Sequence, residues 1–293
     1  MKLRVMLLFA AICAASHVTV SADEACRDGT CAFNPNDLRK VLTDSEDVAD
    51  YVVRMRRELH LQPELMWTET KTSALVKREL TAFGVSFEEV SSPGVVATIG
   101  SGSAPVVALR ADLDALPVTE ESDIPAERRS QVPGKMHACG HDGHTAMLLG
   151  AAKVLKSVEG SLRGTVRLVF QPAEEGGAGA RRMLEDGLRA MKPPIESSFA
   201  LHNWPYPETP SGTVGTRSGT IMAGSGAFEM TLRGAGGHAA VPHKNVDVVV
   251  CGSAVVMAMQ TIVSRLTDPL DSALITVTVF DAGGDADNVM ADT

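Results

Sequence analysis

No run of lysine or arginine stands out in this chain: 27 basic residues face 36 acidic ones, for a formal charge of −9 over 293 residues. That balance argues against nucleic acid or an anionic membrane as the main partner and leaves a small molecule as the better fit. Low-complexity tracts and internal repeats are missing too. With 44% hydrophobic residues and only five cysteines, the chain is neither disordered nor a small disulfide scaffold. It can bury a real core, and its length favours two domains over one.

Near the N-terminus no apolar run reaches the ~20 residues that span a bilayer. Lys2 and Arg4 precede Val5 to Ala15, and Val20-Ser21-Ala22 supplies small residues for cleavage, the pattern of a secretory signal over residues 1–22. The secretory pathway is therefore the expected compartment, ending outside the cell or in the ER lumen. Cys13 leaves with the signal. Cys26 and Cys31 lie in a polar tail, residues 23–42, and could close a small loop where conditions are oxidising. Cys251, within the apolar run Val246 to Val263, is expected to be a buried thiol.

Val48, Val52, Met55 and Leu59 recur at helical spacing over Ser45 to Leu61, ahead of Pro63, and Thr68 is expected to cap a second helix reaching Gly84. Val85–Val90, Val95–Ile99 and Val106–Leu109 read as strands broken by Pro93-Gly94 and by Gly100 to Pro105. A helix over His144–Val158, a strand over Val166–Phe170, a helix around Arg181–Leu184 and a strand over Phe199–His202 follow. Strands alternating with helices predict an α/β layered domain, residues 43–217. Beyond the proline-rich stretch Pro205 to Pro210, Phe228–Leu232 and Ala273–Phe280 read as strands around a long apolar helix capped by Asn245. This β-α-β unit is a second domain, residues 218–293. Gly252, Ser253 and Gln260 interrupt its helix and speak against a membrane span. No closing element follows Gly283-Gly284, so the chain is expected to be incomplete.

Five segments carry chemistry. Within Gly134 to His144 lie three histidines and Cys139; Cys139 and His141 are two apart, so an extended backbone would aim both at one cation, a thiolate and imidazole pair suited to Zn²⁺. Asp142 is placed to orient a ligand. Gln171-Pro172-Ala173-Glu174-Glu175-Gly176-Gly177 sets adjacent carboxylates beyond a hydrophobic strand, where one can bind metal and the other move a proton. Asp112 and Asp114 sit at another strand end and His202 closes a third. Gly236-Gly237-His238 fits a tight loop whose histidine could donate to a developing oxyanion. Each segment alone has an ordinary structural explanation: a solvated acid pair, a core histidine, a capping loop. Their accumulation is what points to a site.

In this order the five segments resemble the aminoacylase and carboxypeptidase family of two-metal peptidases and amidohydrolases, in its branch of N-acyl and indole-acetyl amino acid hydrolases. The resemblance runs from about Val53 to the last residue and rests on His137-Ala138-Cys139-Gly140-His141-Asp142, Pro172 to Gly176 and Gly236 to Ala240. It implies a catalytic domain with a central mixed β-sheet flanked by helices, and an inserted α+β lid, incomplete here. Cys139, His141, Glu175 and His202 would bind two divalent ions, Zn²⁺ or Mn²⁺ with Co²⁺ or Ni²⁺ as alternatives, and Glu174 would be the general base. Asp114 would support the ions, while Asp112 stands where many relatives have a ligating His. His238 would be the lid histidine, and the lid a route to a homodimer. The implied reaction is hydrolysis of the amide bond of an N-acyl amino acid. A secreted metallo-exopeptidase and an inactive metal-binding homologue are the alternatives. Relatives continue with the rest of the lid and a further ligating His, so this chain is expected to be a fragment with little activity.

Overall fold

A computed structural model describes residues 35–204, 210–216, 218–219, 221–222, 224, 226–283 and 286–293. The signal segment and the Cys26 and Cys31 pair lie outside the described residues. The chain divides into two compact units, one ending at Thr216 and one running from residue 217 to Thr293.

In the first unit, the helix expected over Ser45–Leu61 is two helices, α1 (Pro35–Asp47) and α2 (Ala49–Leu61), parted at Val48. Tyr51, Met55 and Leu59, four apart, are buried on α2. Helix α3 (Thr70–Ala82) is not capped by Thr68, whose hydroxyl donates to Leu65 O at 2.7 Å. The first-turn amides of Lys71 and Thr72 instead donate to the Glu64 carboxylate, at 3.1 and 2.9 Å.

Strands β1 (Ser86–Glu89), β2 (Val95–Gly100), β3 (Val106–Asp112), β4 (Thr165–Gln171) and β5 (Ser197–Ala200) form one mixed sheet in the order β1-β2-β4-β3-β5. β2 runs antiparallel to β1 and β4, while β3 runs parallel to β4 and β5. All seven residues of the central β4 are buried, and alternate residues serve two faces. Val95, Ala97, Leu109, Leu168 and Phe170 pack with α2, α3 and α4 (His141–Ser157), whereas Val96, Ala108 and Val169 meet Met183 of α5 (Gly179–Glu185). Helices thus cover both faces, as a sheet with a parallel core requires.

The parallel register places Asp112 opposite Gln171 and Arg110 opposite Ala200. The carboxyl ends of β3, β4 and β5 therefore leave the sheet at one edge, and each continues into acid or histidine. Such edges are where open α/β sheets build their sites.

In the second unit, α6 (Val248–Thr261) is capped by Asp247, not Asn245: the Asp247 carboxylate accepts from the amides of Val249 and Val250. Asn245 instead donates from Nδ2 to His238 O at 3.3 Å. A π turn, Ile262–Leu266, extends the helix to 19 residues of mean hydropathy 1.6, so the three polar or small residues do not break it, and by length and composition it meets the requirement for a membrane span. Cys251 is exposed rather than buried, because α6 buries only Val248 and Gly252. Phe228–Leu232 and Ala273–Phe280 form no strand among the described residues; alternation alone makes none without a neighbour to complete a ladder. Among the described residues the pairing there joins the two-residue β6 (Gly237–His238) and β7 (Val289–Met290), antiparallel, with a single antiparallel bridge between Ala235 and Val246.

Candidate metal centre

Helix α4 begins three residues before the expected His144, so His141 is its first residue and Asp142 its second. Cys139 and His141 are not on an extended segment. Gly140 stands between them at φ 85°, and a Cβ there would lie 2.6 Å from the Asn203 side chain. Only glycine both turns the chain and admits the loop that carries His202.

The three clustered histidines have different tasks. Nδ1 of His141 donates to the backbone oxygen of Asp114 at 2.8 Å, which leaves Nε2 as a free lone pair, buried and without a hydrogen-bond partner. Around that nitrogen stand Asp112 Oδ2 at 3.6 Å, Glu175 Oε1 at 3.8 Å and Glu174 Oε2 at 3.9 Å. His144 is fully engaged: Nδ1 donates to Asp112 Oδ1 at 2.7 Å and Nε2 accepts from the amide of Asn203 at 2.9 Å. His137 is buried with neither ring nitrogen bonded, and burial pushes its pKa down to about 4.

Asp114 organises the acidic turn after β4. Its two carboxylate oxygens accept the amides of Glu174 and Glu175 at 2.9 and 2.8 Å. Glu174 is left exposed, while Glu175 is half-buried with Oε1 unpartnered. His202, just beyond β5, donates from Nδ1 to Asn203 O, so its Nε2 faces Cys139 Sγ at 3.4 Å as an acceptor.

Charge in this cluster is one-sided. Burial opposes ionisation of Asp112, yet the His144 hydrogen bond and the neighbouring His141 ring and Arg110 guanidinium hold its pKa well below the usual carboxylate range. The Cys139 thiol is pushed up to about 12 by burial and by the neighbouring carboxylates, Glu175 foremost. A cation among these groups reverses that effect and favours the thiolate. An unpartnered imidazole nitrogen, an unpartnered carboxylate oxygen and a thiol beside a second open imidazole form a donor set that suits Zn²⁺ and its divalent neighbours. Asp142 sits one shell outward: Oδ2 accepts from His60 Nδ1 at 2.7 Å and Arg56 Nε at 2.9 Å. That His60 link, 82 residues away in sequence, carries no local signal in the chain.

His238 belongs to the second unit, where its Nδ1 accepts the amide of Ala240 at 3.1 Å.

Residues 108–292 match Peptidase family M20/M25/M40. The chain is 48% identical over 265 residues to an IAA-amino acid hydrolase, ILR1-like 5, of Arabidopsis thaliana, covering 88% of this chain and 59% of that protein. It is 44% identical over 244 residues to an N-acetyl-L-cysteine deacetylase of Bacillus subtilis, covering 83% and 57%. Among solved structures it resembles a putative aminohydrolase from methicillin-resistant Staphylococcus aureus, with 32% identity and a TM-score of 0.67 over 87% of this chain and 66% of that one. A Bacillus subtilis M20 peptidase described as dinuclear and metal-binding matches at 43% identity and TM-score 0.50 over 53% and 43%. The chain thus spans less than two thirds of the length of these curated relatives. On the extent of that match the chain belongs to peptidase family M20/M25/M40.

Proposed function

We propose that this protein hydrolyses the amide bond of N-acyl or auxin-like conjugated amino acids, with Cys139, His141, Glu175 and His202 holding two divalent ions. The observation that carries the proposal is the pair of unpartnered buried atoms, His141 Nε2 and Glu175 Oε1, 3.8 Å apart, with carboxylate oxygens of Asp112 and Glu174 also within 4 Å of that nitrogen. Leaving both unsatisfied costs on the order of 1–3 kcal/mol each, a cost that a ligand offsets. When bound, the ions supply positive charge that polarises the acyl carbonyl and acidifies water. Glu174, the exposed member of the acid pair, takes the proton of the attacking water and passes it to the leaving amine. Asp114 fixes both glutamates through their amides and stays buried.

In the same reading the second unit is a lid that supports a homodimer, and His238 is the donor that steadies the negative oxygen. The product leaves as a free amino acid and a carboxylic acid. Zn²⁺ or Mn²⁺ is the preferred metal, with Co²⁺ and Ni²⁺ accepted, and the leader of residues 1–22 directs the protein to the secretory pathway. Amine release from a panel of N-acyl amino acids by the protein completed to the length of its relatives, with dipeptides alongside and bound metal quantified, tests the proposal. Faster cleavage of dipeptides makes the protein an exopeptidase, and metal without any hydrolysis contradicts the enzyme reading.

A further inference from the structure

The segment between α2 and α3 touches the acidic strand ends at three points. Ala115 N donates to Glu64 O at 2.8 Å, directly after Asp114. Trp67 Nε1 donates to Gly177 O at 3.1 Å, and a Cβ at Gly177 would lie 2.7 Å from that indole nitrogen, so the ring sits closely on the turn. Glu69, fully buried, accepts the amide of Ala173 in its Oε1 at 2.7 Å.

Ala173 is where the turn is set. It has φ 53°, a left-handed conformation that costs a residue with a Cβ roughly 1–2 kcal/mol, and it immediately precedes Glu174. The strain persists only where neighbours over-determine the conformation. On one side Gly179 N donates to Ala173 O at 3.1 Å; on the other, Glu69 takes the Ala173 amide. Asp114 then grips the next two amides. Three successive N–H groups, of Ala173, Glu174 and Glu175, are thus held by two buried carboxylates.

We infer that Glu69 is a positioning residue, which locks Ala173 in its left-handed state and so fixes where the Glu174 and Glu175 carboxylates point. The inference rests on the proposed role of those two glutamates at a metal centre, but the geometry it concerns can be read without metal. A carboxylate buried merely to cap α3 would have no reason to bond a residue 104 positions away.

The test is amide hydrogen exchange in the full chain, comparing wild type with Glu69→Ala, Glu69→Gln and Leu80→Ala, the last a core truncation on α3, the helix that Glu69 precedes. Glu69→Ala is expected to speed exchange at Glu174 and Glu175 by about threefold to tenfold, the equivalent of one hydrogen bond, relative to β4 amides. Glu69→Gln, which keeps an acceptor, is expected to restore protection, and Leu80→Ala to leave the ratio unchanged. If Glu69→Ala does not fold, Glu69→Met fills a similar volume without an acceptor and reads the same amides. Exchange at Glu174 and Glu175 that rises no more than in Leu80→Ala overturns the inference. Cobalt titration of the wild type reads the metal centre separately: no cobalt bound, with these amides still sensitive to residue 69, would sink the metal reading and uphold the positioning role.

Discussion

His144 Nδ1 lies 2.7 Å from Asp112 Oδ1, both groups essentially sealed from solvent, and the far side of the same ring accepts the Asn203 amide beside His202. One imidazole thereby ties the end of β3 to the loop after β5. His144→Ala removes a partner from a buried carboxylate and from the Asn203 amide. Arg110 still compensates Asp112 through a 2.7 Å contact, which limits the damage. The expected loss is about 2–4 kcal/mol in urea unfolding, together with weaker metal retention as His202 loosens. A change below about 0.5 kcal/mol, the usual range for surface sites, would contradict the role.

Glu174→Gln keeps the size of the side chain and, through its backbone, the hydrogen bond to Asp114. In the hydrolase reading it leaves metal content unchanged and lowers kcat by about 10²- to 10⁴-fold, the usual worth of a positioned base. Metal quantification beside steady-state kinetics checks both halves. A metal-loaded variant with normal turnover removes Glu174 from the mechanism.

His60 is buried between two carboxylates, Nδ1 at 2.7 Å from Asp142 and Nε2 at 3.2 Å from Glu120, an arrangement satisfied only by the doubly protonated ring. The Asp142 hydrogen bond, helped by the Asp142 charge and the Glu120 contact, outweighs burial and the nearby Arg56 charge and sets its pKa above the ordinary 6.5. Its contribution to stability is therefore complete below 6.5 and lost as pH rises through the raised value. Asp142 and Glu120 are shifted down, so their contribution is present above the usual carboxylate range and lost on acidification. The urea midpoint of the wild type is expected to decline as pH rises past the ordinary histidine value, and that of His60→Gln to lack this decline. Parallel profiles would show that His60 is neutral in the folded protein.

Strands β2, β3 and β4 were legible because β-branched runs end at Pro-Gly and Gly-Ser breaks, and the structure keeps them within a few residues. The start of α4 was not: His141-Asp142-Gly143 are poor helix formers, and the residue before them is a left-handed glycine without a capping side chain. Asn245 and Asp247 are both good caps two residues apart, and only backbone angles choose between them. At the site, Cys139, His141, Glu174, Glu175 and His202 could be named from motifs. That His144 is wholly occupied, or that Glu69 holds Ala173, depends on partners 32 and 104 positions away, which no local pattern encodes.

The proposal that Cys139, His141, Glu175 and His202 gather around shared cations is tested most directly by Co²⁺ titration of the purified chain, followed by absorbance. The account predicts saturable binding with a sulfur-to-cobalt charge-transfer band that disappears in Cys139→Ala and weakens in His202→Ala. A protein that takes up no cobalt, or a band that survives loss of Cys139, would contradict it.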